Sequence, residues 1–275
     1  MSECARERRV GERLVERVTV VANERLGEAA GLLTLRAPRI RDRIAPGQFV
    51  HLRISRGSEF ILRRPFSVHG LTHDGIRILY QVVGRGTRAL AEKRPGDEMD
   101  ALGPLGNGFR MPDGISHALV VGGGLGVAPL ALLAEELAER GVAVTACIGA
   151  PTAERLFALD VFERSAREIL LATDDGSRGE RGFVTMLVEG ALASFSPDAA
   201  YVCGPEPMER IVAAQCAAAG VYCQVSLERL MACGVGACLS CVVETATGLE
   251  RACCDGPVFD AEEVRWDAGE AGLRH

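Results

Sequence analysis

Regular alternation of strand-like and helix-like segments over residues 113–227 limits the fold more than any other feature of this sequence. ISHALVVGGG has the apolar run of a buried strand, VAPLALLAEELAER has the apolar stripe of a helix, and VAVTACIGA is the next strand. Helix-like and strand-like segments then continue to alternate, beginning with a helix, through RLFALDVFERSA, EILLATDD, FVTMLVEGALASF, AAYVCG, PMERIVAAQCAAAG and YCQVSL. Such alternation predicts βαβ units and a parallel sheet, whose ligands bind beyond the carboxyl ends of the strands. We therefore expect the strand ends VVGGG and YVCG to lie at a binding edge.

Residues 12–112 have a different pattern, in which short alternating strands are separated by turn signals such as APGQ, THDG and RPGDE. The strands are VERVTVVANE, GLLTLRAP, GQFVHLRI, PFSVHG and GIRILYQVVG, and TRALAEK is a short helix. Strands without long helices between them predict a small antiparallel barrel. Residues 228–265 are rich in cysteine and too short to build a core unaided. The fold class is thus a β barrel plus α/β protein with a small C-terminal domain.

Composition excludes several classes of function. The formal net charge is −6, and no basic stripe interleaved with aromatic residues offsets it, which argues against a nucleic-acid binder. No apolar run approaches the roughly 20 residues that cross a membrane, and MSECARERRVGERLVERV lacks the apolar core of a secretory signal. We expect a cytoplasmic protein, in which structural disulfides are rare. The dispersed cysteines are then expected to be small buried hydrophobes, as at Cys4, Cys147, Cys216 and Cys223.

The segment GGGLGVAPL lies where a predicted strand turns into a helix. Glycines let a ligand approach the backbone, and a helix N-terminus offers free N–H groups to a phosphate. The segment departs from the dinucleotide fingerprint because Val127 occupies the position of the last glycine. Tight packing alone is the alternative interpretation. The candidate phosphate-binding residues are Gly122, Gly123, Gly124 and Gly126.

Two further motifs in the barrel region favour an anionic ligand. RRPFSVHG carries arginines that can make forked bonds to a pyrophosphate, followed by an aromatic ring and a hydroxyl that can contact a flat ring. GRGT opens the short helix and supplies a second backbone anion site. An exposed basic edge strand is the alternative interpretation of the first motif.

Half of the ten cysteines fall near the C-terminus, in MACGVGACLSC and ACCDGP. Zinc ribbons prefer two C-x2-C knuckles, whereas C-x4-C-x2-C followed by another cysteine is the plant-type [2Fe–2S] spacing. Small residues between the first two cysteines suit a loop that aims its N–H groups at sulfur. The spacing favours an iron–sulfur cluster, and zinc and inert thiols stay as alternatives. The cysteines concerned are Cys233, Cys238, Cys241, Cys253 and Cys254.

These segments resemble a known family. SLERLMACGVGACLSCVV and ACCDGPVF are similar to the electron-transfer subunits of two-subunit, NAD-linked dihydroorotate dehydrogenases, and the resemblance runs from about Val15 to Phe259. That family belongs to the ferredoxin reductase-like flavoproteins, which bind FAD on a barrel and NAD on a following α/β domain. The resemblance implies a FAD-binding domain over 12–112, an NAD-binding domain over 113–227 and a [2Fe–2S] domain over 228–265. Its Cys-x-Asp-Gly-Pro pattern implies that Cys253 is the fourth ligand, after Cys233, Cys238 and Cys241, and that Cys254 is a bystander.

The resemblance also implies roles for the other motifs. Arg64 would hold the FAD pyrophosphate and Phe66 and Ser67 would border the isoalloxazine, within the motif Arg64, Pro65, Phe66 and Ser67. GPLGNGF matches the segment that closes the barrel domain, and GGGLGVAPL resembles the turn that binds the NAD pyrophosphate. Further residues would contact the FAD phosphates (Gly84, Gly86, Thr87), the nicotinamide (Cys203, Gly204, Pro205) and the NAD ribose (Asp174, Asp175). A plain strand-end cysteine and a solvated turn are the alternatives for Cys203 and for the aspartates.

The implied function is electron transfer. Electrons from dihydroorotate would enter the FMN of a separate catalytic subunit, cross the cluster one by one and leave as a hydride from FAD to NAD⁺. The expected partner is that FMN-containing subunit, assembled with this chain as a heterotetramer, with no nucleic acid and no membrane. The aspartates suit NAD over NADP, although Arg178 and Arg181 lie nearby. The alternatives are an iron–sulfur flavoprotein subunit of another NAD(P)H-dependent reductase (ferredoxin:NADP, sulfide or hydrogenase diaphorase type) and a zinc-stabilised NADH-sensing binding protein.

Overall fold

An antiparallel sheet of seven strands forms the first part of the computed structural model, which describes residues 13–55, 57 and 59–266. Its order is β4-β3-β7-β1-β2-β6-β5, and β4 lies against β6, so that the sheet curls into a half-barrel. The predicted antiparallel barrel is therefore confirmed. Its elements are β1 (Leu14–Leu26), β2 (Ala30–Arg36), α1 (Pro38–Arg41), β3 (Phe49–Arg53), β4 (Arg64–Ser67), β5 (Gly70–Thr72), β6 (Gly75–Gln81), α2 (Arg85–Ala91) and β7 (Glu98–Leu105).

Strand β3 shows how the alternation of side chains builds the half-barrel. Val50 and Leu52 point into its core, whereas Phe49 packs into a second core that it shares with the C-terminal segment. Strand β7 pairs with both β1 and β3, although the sequence pattern did not predict it. Gly103 and Pro104 interrupt its alternation, which explains why the pattern was weak there.

A mixed sheet of seven strands follows, in the order β11-β10-β9-β8-β12-β13-β16. All of its pairs are parallel except that of β13 with β16, which confirms the predicted parallel sheet. The order reverses between β8 and β12, and this is the point at which such sheets bind ligands. The elements are β8 (His117–Gly123), α3 (Val127–Glu139), β9 (Ala143–Ala150), α4 (Leu159–Ser165), β10 (Glu168–Thr173), β11 (Glu180–Arg181), α5 (Thr185–Phe195), β12 (Ala199–Cys203), α6 (Glu206–Ala218) and β13 (Tyr222–Ser226).

Helix α4 begins later than the segment RLFALDVFERSA predicts. Ala158 has a φ of 59°, so the helix starts only after it, at Leu159. The buried positions of Cys147, Cys216 and Cys223 confirm that these cysteines act as small hydrophobes, and Cys4 lies outside the described residues. None of the helices in the described ranges is long and apolar enough to cross a lipid bilayer.

The C-terminal segment is held by the rest of the protein. It contains the hairpin of β14 (Val242–Thr245) with β15 (Gly248–Arg251), followed by β16 (Val258–Asp260). Strand β16 pairs with β13, and Phe259 lies opposite Val225 in a core that also contains Val243. A segment too short to fold by itself thus obtains its core by completing the second sheet.

Candidate functional site

Strand β4 and the start of α2 bring two of the predicted FAD-binding residues together. A Cβ at Gly86 would lie 3.1 Å from Nε of Arg64 and 3.5 Å from Cδ1 of Ile54, so a larger residue would displace the guanidinium. Nη1 of Arg64 donates to the carbonyl oxygen of Leu62 at 2.8 Å, which holds the side chain in place. A fixed arginine next to a helix N-terminus has the donor chemistry that a diphosphate needs.

The other residues of the two barrel motifs shape this site in different ways. Oγ1 of Thr87 accepts hydrogen bonds from the N–H groups of Val83 (3.0 Å) and Gly84 (3.1 Å), so Thr87 stabilises the turn that opens α2. The ring of Phe66 meets Tyr80 edge-on, with centroids 6.4 Å apart. Phe66 is half-buried, as are Pro65 and Ser67, and all three therefore keep surface for a ligand.

The two predicted nucleotide-binding turns pack against each other where the strand order reverses. Gly122 pairs with Cys203 across β8 and β12. A Cβ at Gly126 would lie 2.2 Å from the carbonyl oxygen of Cys203, and one at Gly204 would lie 3.1 Å from Cα of Gly123. Only glycine permits this close approach. The structure thus joins the glycine turn and the Cys-Gly-Pro turn, including Gly124 and Pro205, into one site.

Cys203 points into the protein. Its thiol donates to the carbonyl oxygen of Ser226 at 3.4 Å, and burial raises the pKa of this thiol well above its usual value. Next to it, Oε1 of Glu209 accepts a hydrogen bond from the N–H of Gly204 at 3.1 Å. Glu209 is 1% exposed, and burial raises the pKa of its carboxyl group well above the usual range. The sequence analysis did not single out Glu209, which lies in the predicted helix PMERIVAAQCAAAG, just after the Cys-Gly-Pro turn.

Asp174 and Asp175 follow β10, at the same edge of the sheet as the glycine turn that follows β8. Oδ1 of Asp175 accepts hydrogen bonds from the N–H (2.9 Å) and the Oγ (2.6 Å) of Ser177. These bonds lower the pKa of Asp175, so the carboxylate stays charged. Both aspartates are exposed and supply negative charge at the ribose end of the predicted NAD site.

The four predicted cluster ligands lie close together two by two, Cys238 near Cys233 and Cys253 near Cys241. Cys241 and Cys253 are buried, whereas Cys233 is half-buried and Cys238 is exposed. Within the described ranges, no three or more His, Cys, Asp or Glu side chains are arranged to hold a metal ion together. Cys254 lies beside the second pair, with its sulfur 3.8 Å from that of Cys253.

Hydrogen bonds from the loop already point at sulfur. Sγ of Cys233 accepts from the N–H groups of Val235 (3.4 Å) and Ala237 (3.3 Å). Cys238 contacts Oγ of Ser240 at 3.2 Å, and this hydrogen bond contributes most to lowering the pKa of Cys238 to about 6. Donors of this kind stabilise thiolates, which are the form that binds metal.

Two arginines and one asparagine brace the cysteine-rich segment, and sequence reasoning missed all three. Nη2 of Arg13 donates to Sγ of Cys254 at 3.3 Å, and Nη1 of Arg251 donates to the carbonyl oxygen of Gly236 at 3.2 Å. Nδ2 of Asn107 donates to the carbonyl oxygens of Cys254 (3.2 Å) and Asp255 (2.9 Å). Asn107 belongs to GPLGNGF, so this motif ties the half-barrel to the cysteines.

Comparison with known proteins gives the family. The model of the iron–sulfur cluster binding domain of dihydroorotate dehydrogenase B matches residues 228–265. Over 257 residues the chain is 43% identical to the dihydroorotate dehydrogenase B (NAD(+)) electron transfer subunit of Bacillus caldolyticus, covering 90% of this chain and 98% of that protein. The chain belongs to this family of electron transfer subunits. The match decides between the iron–sulfur, zinc and inert-thiol interpretations in favour of iron–sulfur.

Solved structures of two reductases are similar to this chain. The structure of an NADH-dependent reduced ferredoxin–NADP oxidoreductase has a TM-score of 0.81 and 33% identity, with 90% of each chain covered. A ferredoxin NADP⁺ reductase from Neisseria gonorrhoeae, solved with FAD and NADP, has a TM-score of 0.63 and 19% identity, with 76% of this chain and 92% of that chain covered. The second likeness confirms the ferredoxin reductase-like fold.

The residues of this chain fit the cofactors of an iron–sulfur flavoprotein. Cys233, Cys238, Cys241 and Cys253 would supply the four thiolates that hold a [2Fe–2S] cluster. The guanidinium of Arg64, which packs against Gly86 at the start of α2, has the donors that a phosphate group needs. The chain is therefore an oxidoreductase component that uses FAD and an iron–sulfur cluster.

Proposed function

We propose that this chain conducts electrons from the FMN of a dihydroorotate dehydrogenase catalytic subunit to NAD⁺, and that the two kinds of subunit assemble as a heterotetramer. When bound, FAD exchanges a hydride with NAD and single electrons with a [2Fe–2S] cluster. The chain's own task is to hold the two groups at a fixed separation and to present NAD to the flavin. The relatives' role as electron transfer subunits of an NAD(+)-linked dehydrogenase supports this proposal.

The hydrogen bonds of Asn107 are the structural observation that supports this proposal most strongly. Its side chain holds the backbone just after Cys253, and its N–H donates to the carbonyl oxygen of Gly256 at 2.6 Å. These bonds join the end of the half-barrel to the segment that carries Cys253. In the half-barrel, Arg64 and the first turn of α2 would hold the FAD diphosphate, while Phe66 and Ser67 would border the isoalloxazine.

The second sheet would present NAD. The glycine turn after β8 would hold the NAD pyrophosphate, and the turn of Gly204 and Pro205, fixed by Glu209, would lie beside the nicotinamide. The carboxylates of Asp174 and Asp175 would accept hydrogen bonds from a ribose and repel a 2′-phosphate, which favours NAD over NADP.

The test begins with the purified chain under anaerobic conditions. We expect bound FAD, two irons and two acid-labile sulfides per [2Fe–2S] cluster, and bleaching of the flavin by NADH. Dihydroorotate should be oxidised only after an FMN-containing catalytic subunit is added. A preparation that contains zinc without FAD, or that oxidises dihydroorotate alone, would contradict the proposal.

One observation favours a second candidate, namely the 33% identity with an NADH-dependent reduced ferredoxin–NADP oxidoreductase. In that case the cluster would exchange electrons with a ferredoxin-dependent partner. Titration with reduced ferredoxin and NADP⁺, in parallel with the FMN-containing subunit and NAD⁺, separates the two candidates. Reduction of NADP⁺ by ferredoxin, without any response to the dehydrogenase subunit, would select the reductase.

A further inference from the structure

His51 lies on the face of β3 that looks away from the core of the half-barrel. Its neighbours Val50 and Leu52 point into that core, and side chains alternate along a strand. His51 is nevertheless 0% exposed, because the cysteine-rich segment covers it. A polar ring is thus buried between the half-barrel and the loop that carries Cys233.

The contact with that loop is made at Gly234, the residue directly after Cys233. A Cβ at Gly234 would lie 2.7 Å from Cε1, 2.8 Å from Nδ1 and 3.0 Å from Nε2 of His51. Similar distances to three ring atoms mean that the glycine packs against the imidazole itself. Gly234 also has a φ of +69°, a conformation that favours glycine. Loop and imidazole therefore fit each other closely only with glycine at this position.

Neither ring nitrogen of His51 has a hydrogen-bond partner among the described residues, and both are buried. Burial, with a smaller effect of Arg63, lowers the pKa of His51 to about 4, so the ring is neutral at pH 7 and carries one N–H. A buried donor without a partner costs about 1–3 kcal/mol, and buried polar groups in native proteins are almost always paired. A bound group is the natural partner for this N–H.

The geometry of β3 and β4 indicates which group it is. Residues directly opposite in an antiparallel pair share a face, and Arg64 and Phe66 lie opposite Leu52 and Val50. The arginine and the aromatic ring of the predicted FAD motif are thus on the other face from His51. Phe49 covers a further side of the imidazole, with ring centroids 5.7 Å apart. The side of the imidazole that is left for a bound group faces Gly234, the residue directly after Cys233.

We propose that the His51 imidazole donates a hydrogen bond to a sulfur of the bound [2Fe–2S] cluster, on the side of Cys233. This inference rests on the proposed presence of that cluster. A donor to sulfur stabilises the extra negative charge of the reduced state, and His51 therefore raises the reduction potential of the cluster. His51 is a positioning residue, which also sets how closely the cluster loop approaches strand β3.

The first measurement is a redox titration of the full chain, followed by electron paramagnetic resonance of the reduced cluster. His51→Leu removes the donor, and we expect its cluster to be about tenfold harder to reduce, which is about 59 mV for a one-electron couple. His51→Gln keeps an N–H donor and should recover much of the shift. His73→Leu, at an exposed histidine, serves as the matched control and should leave the potential unchanged. A wild-type potential in His51→Leu with full iron and sulfide would overturn the proposal.

The second measurement does not depend on any variant folding. Chain labelled with ¹⁵N only in histidine is reduced, and pulsed electron paramagnetic resonance is used to detect nuclei coupled to the cluster. We expect a ¹⁵N coupling that the unlabelled chain lacks. A normal cluster signal without ¹⁵N coupling would overturn the role of His51 alone. Absence of any iron–sulfur signal would instead count against the proposed function.

Discussion

Two adjacent cysteines in ACCDGP have different surroundings, although the sequence presents them as equivalent thiols. Cys253 is 1% exposed and contacts Cys241, whereas Cys254 is half-buried and accepts a hydrogen bond from Arg13. Burial contributes most to raising the pKa of Cys253, so this thiol needs a bound cation to become a thiolate. The closeness of Cys253 to Cys241, a second predicted ligand, favours Cys253 as the fourth ligand.

Cys253→Ser and Cys254→Ser form a matched pair of variants. We expect Cys253→Ser to lose most of its iron, acid-labile sulfide and visible iron–sulfur absorbance, because a buried hydroxyl is a poor iron ligand. Cys254→Ser should keep at least about nine-tenths of the iron, and NADH should still bleach the flavin in both proteins. Equal iron loss in the two variants, measured by metal analysis, would mean that the ligand assignment is wrong.

At the scale of single residues, the sequence predicted functional residues whose partners are close along the chain, and it missed residues whose partners are distant. The spacing of Cys233, Cys238 and Cys241 carries its meaning within nine residues. His51 and Asn107 act on a segment that lies far along the chain, and no local pattern signals such contacts. A histidine in GQFVHLRI looks like an ordinary outward-facing strand residue until the fold covers it.

The start of α3 depends on how closely it approaches β12. The backbone of Gly126 lies so near the carbonyl of Cys203 that an added Cβ would be 2.2 Å from that oxygen. A backbone atom cannot move aside as the end of a long side chain can. The first turn of α3 and the Cys-Gly-Pro turn must therefore shift together if residue 126 is enlarged.

Gly126→Ala tests this dependence, with Gly190→Ala in α5 as the control. A Cβ at Gly190 would meet nothing within 4 Å. We expect Gly126→Ala to lower the free energy of unfolding by about 1–3 kcal/mol and to weaken NADH binding at least severalfold. Gly190→Ala should raise the free energy of unfolding by up to about 1 kcal/mol, with unchanged NADH binding. Urea unfolding and NADH titration check both, and unchanged NADH affinity in Gly126→Ala would contradict the expectation.

The elements of the second sheet were predictable because apolar periodicity persists through each of them. Strand β7 and the start of α4 were not. Pro104 and Gly103 weaken the alternation of β7, and the left-handed conformation of Ala158 delays a helix that the apolar pattern starts earlier. In both places the apolar pattern of the sequence does not follow the conformation that the backbone adopts in the fold.

At the scale of the whole molecule, Asn107 and Asn23 make similar bonds in different places. Nδ2 of Asn23 donates to the carbonyl oxygens of Leu90 (2.9 Å) and Lys93 (3.0 Å), entirely within the half-barrel. Nδ2 of Asn107 joins the half-barrel to the segment that follows Cys253. The first asparagine stabilises one part of the molecule, and the second fixes the distance between two parts.

Replacement of each asparagine by alanine separates these effects. We expect Asn107→Ala to lose about 1–3 kcal/mol of stability and Asn23→Ala at least as much, because each frees two carbonyl groups and Asn23→Ala also leaves the hydroxyl of Tyr80 without its acceptor. Only Asn107→Ala should slow the reduction of the cluster by NADH, by at least severalfold, because the cluster segment is then less firmly held. Stopped-flow absorbance measures that rate. Equal rates in the two variants would mean that Asn107 stabilises the fold without controlling electron transfer.

The pairing of β16 with β13 anchors the cysteine-rich segment at both ends. Residues 227–257 leave the second sheet at β13 and return to it at the neighbouring strand, so the attachment of the segment is made by the polypeptide itself. We therefore expect cells starved of iron to produce a folded chain that can still acquire its cluster afterwards.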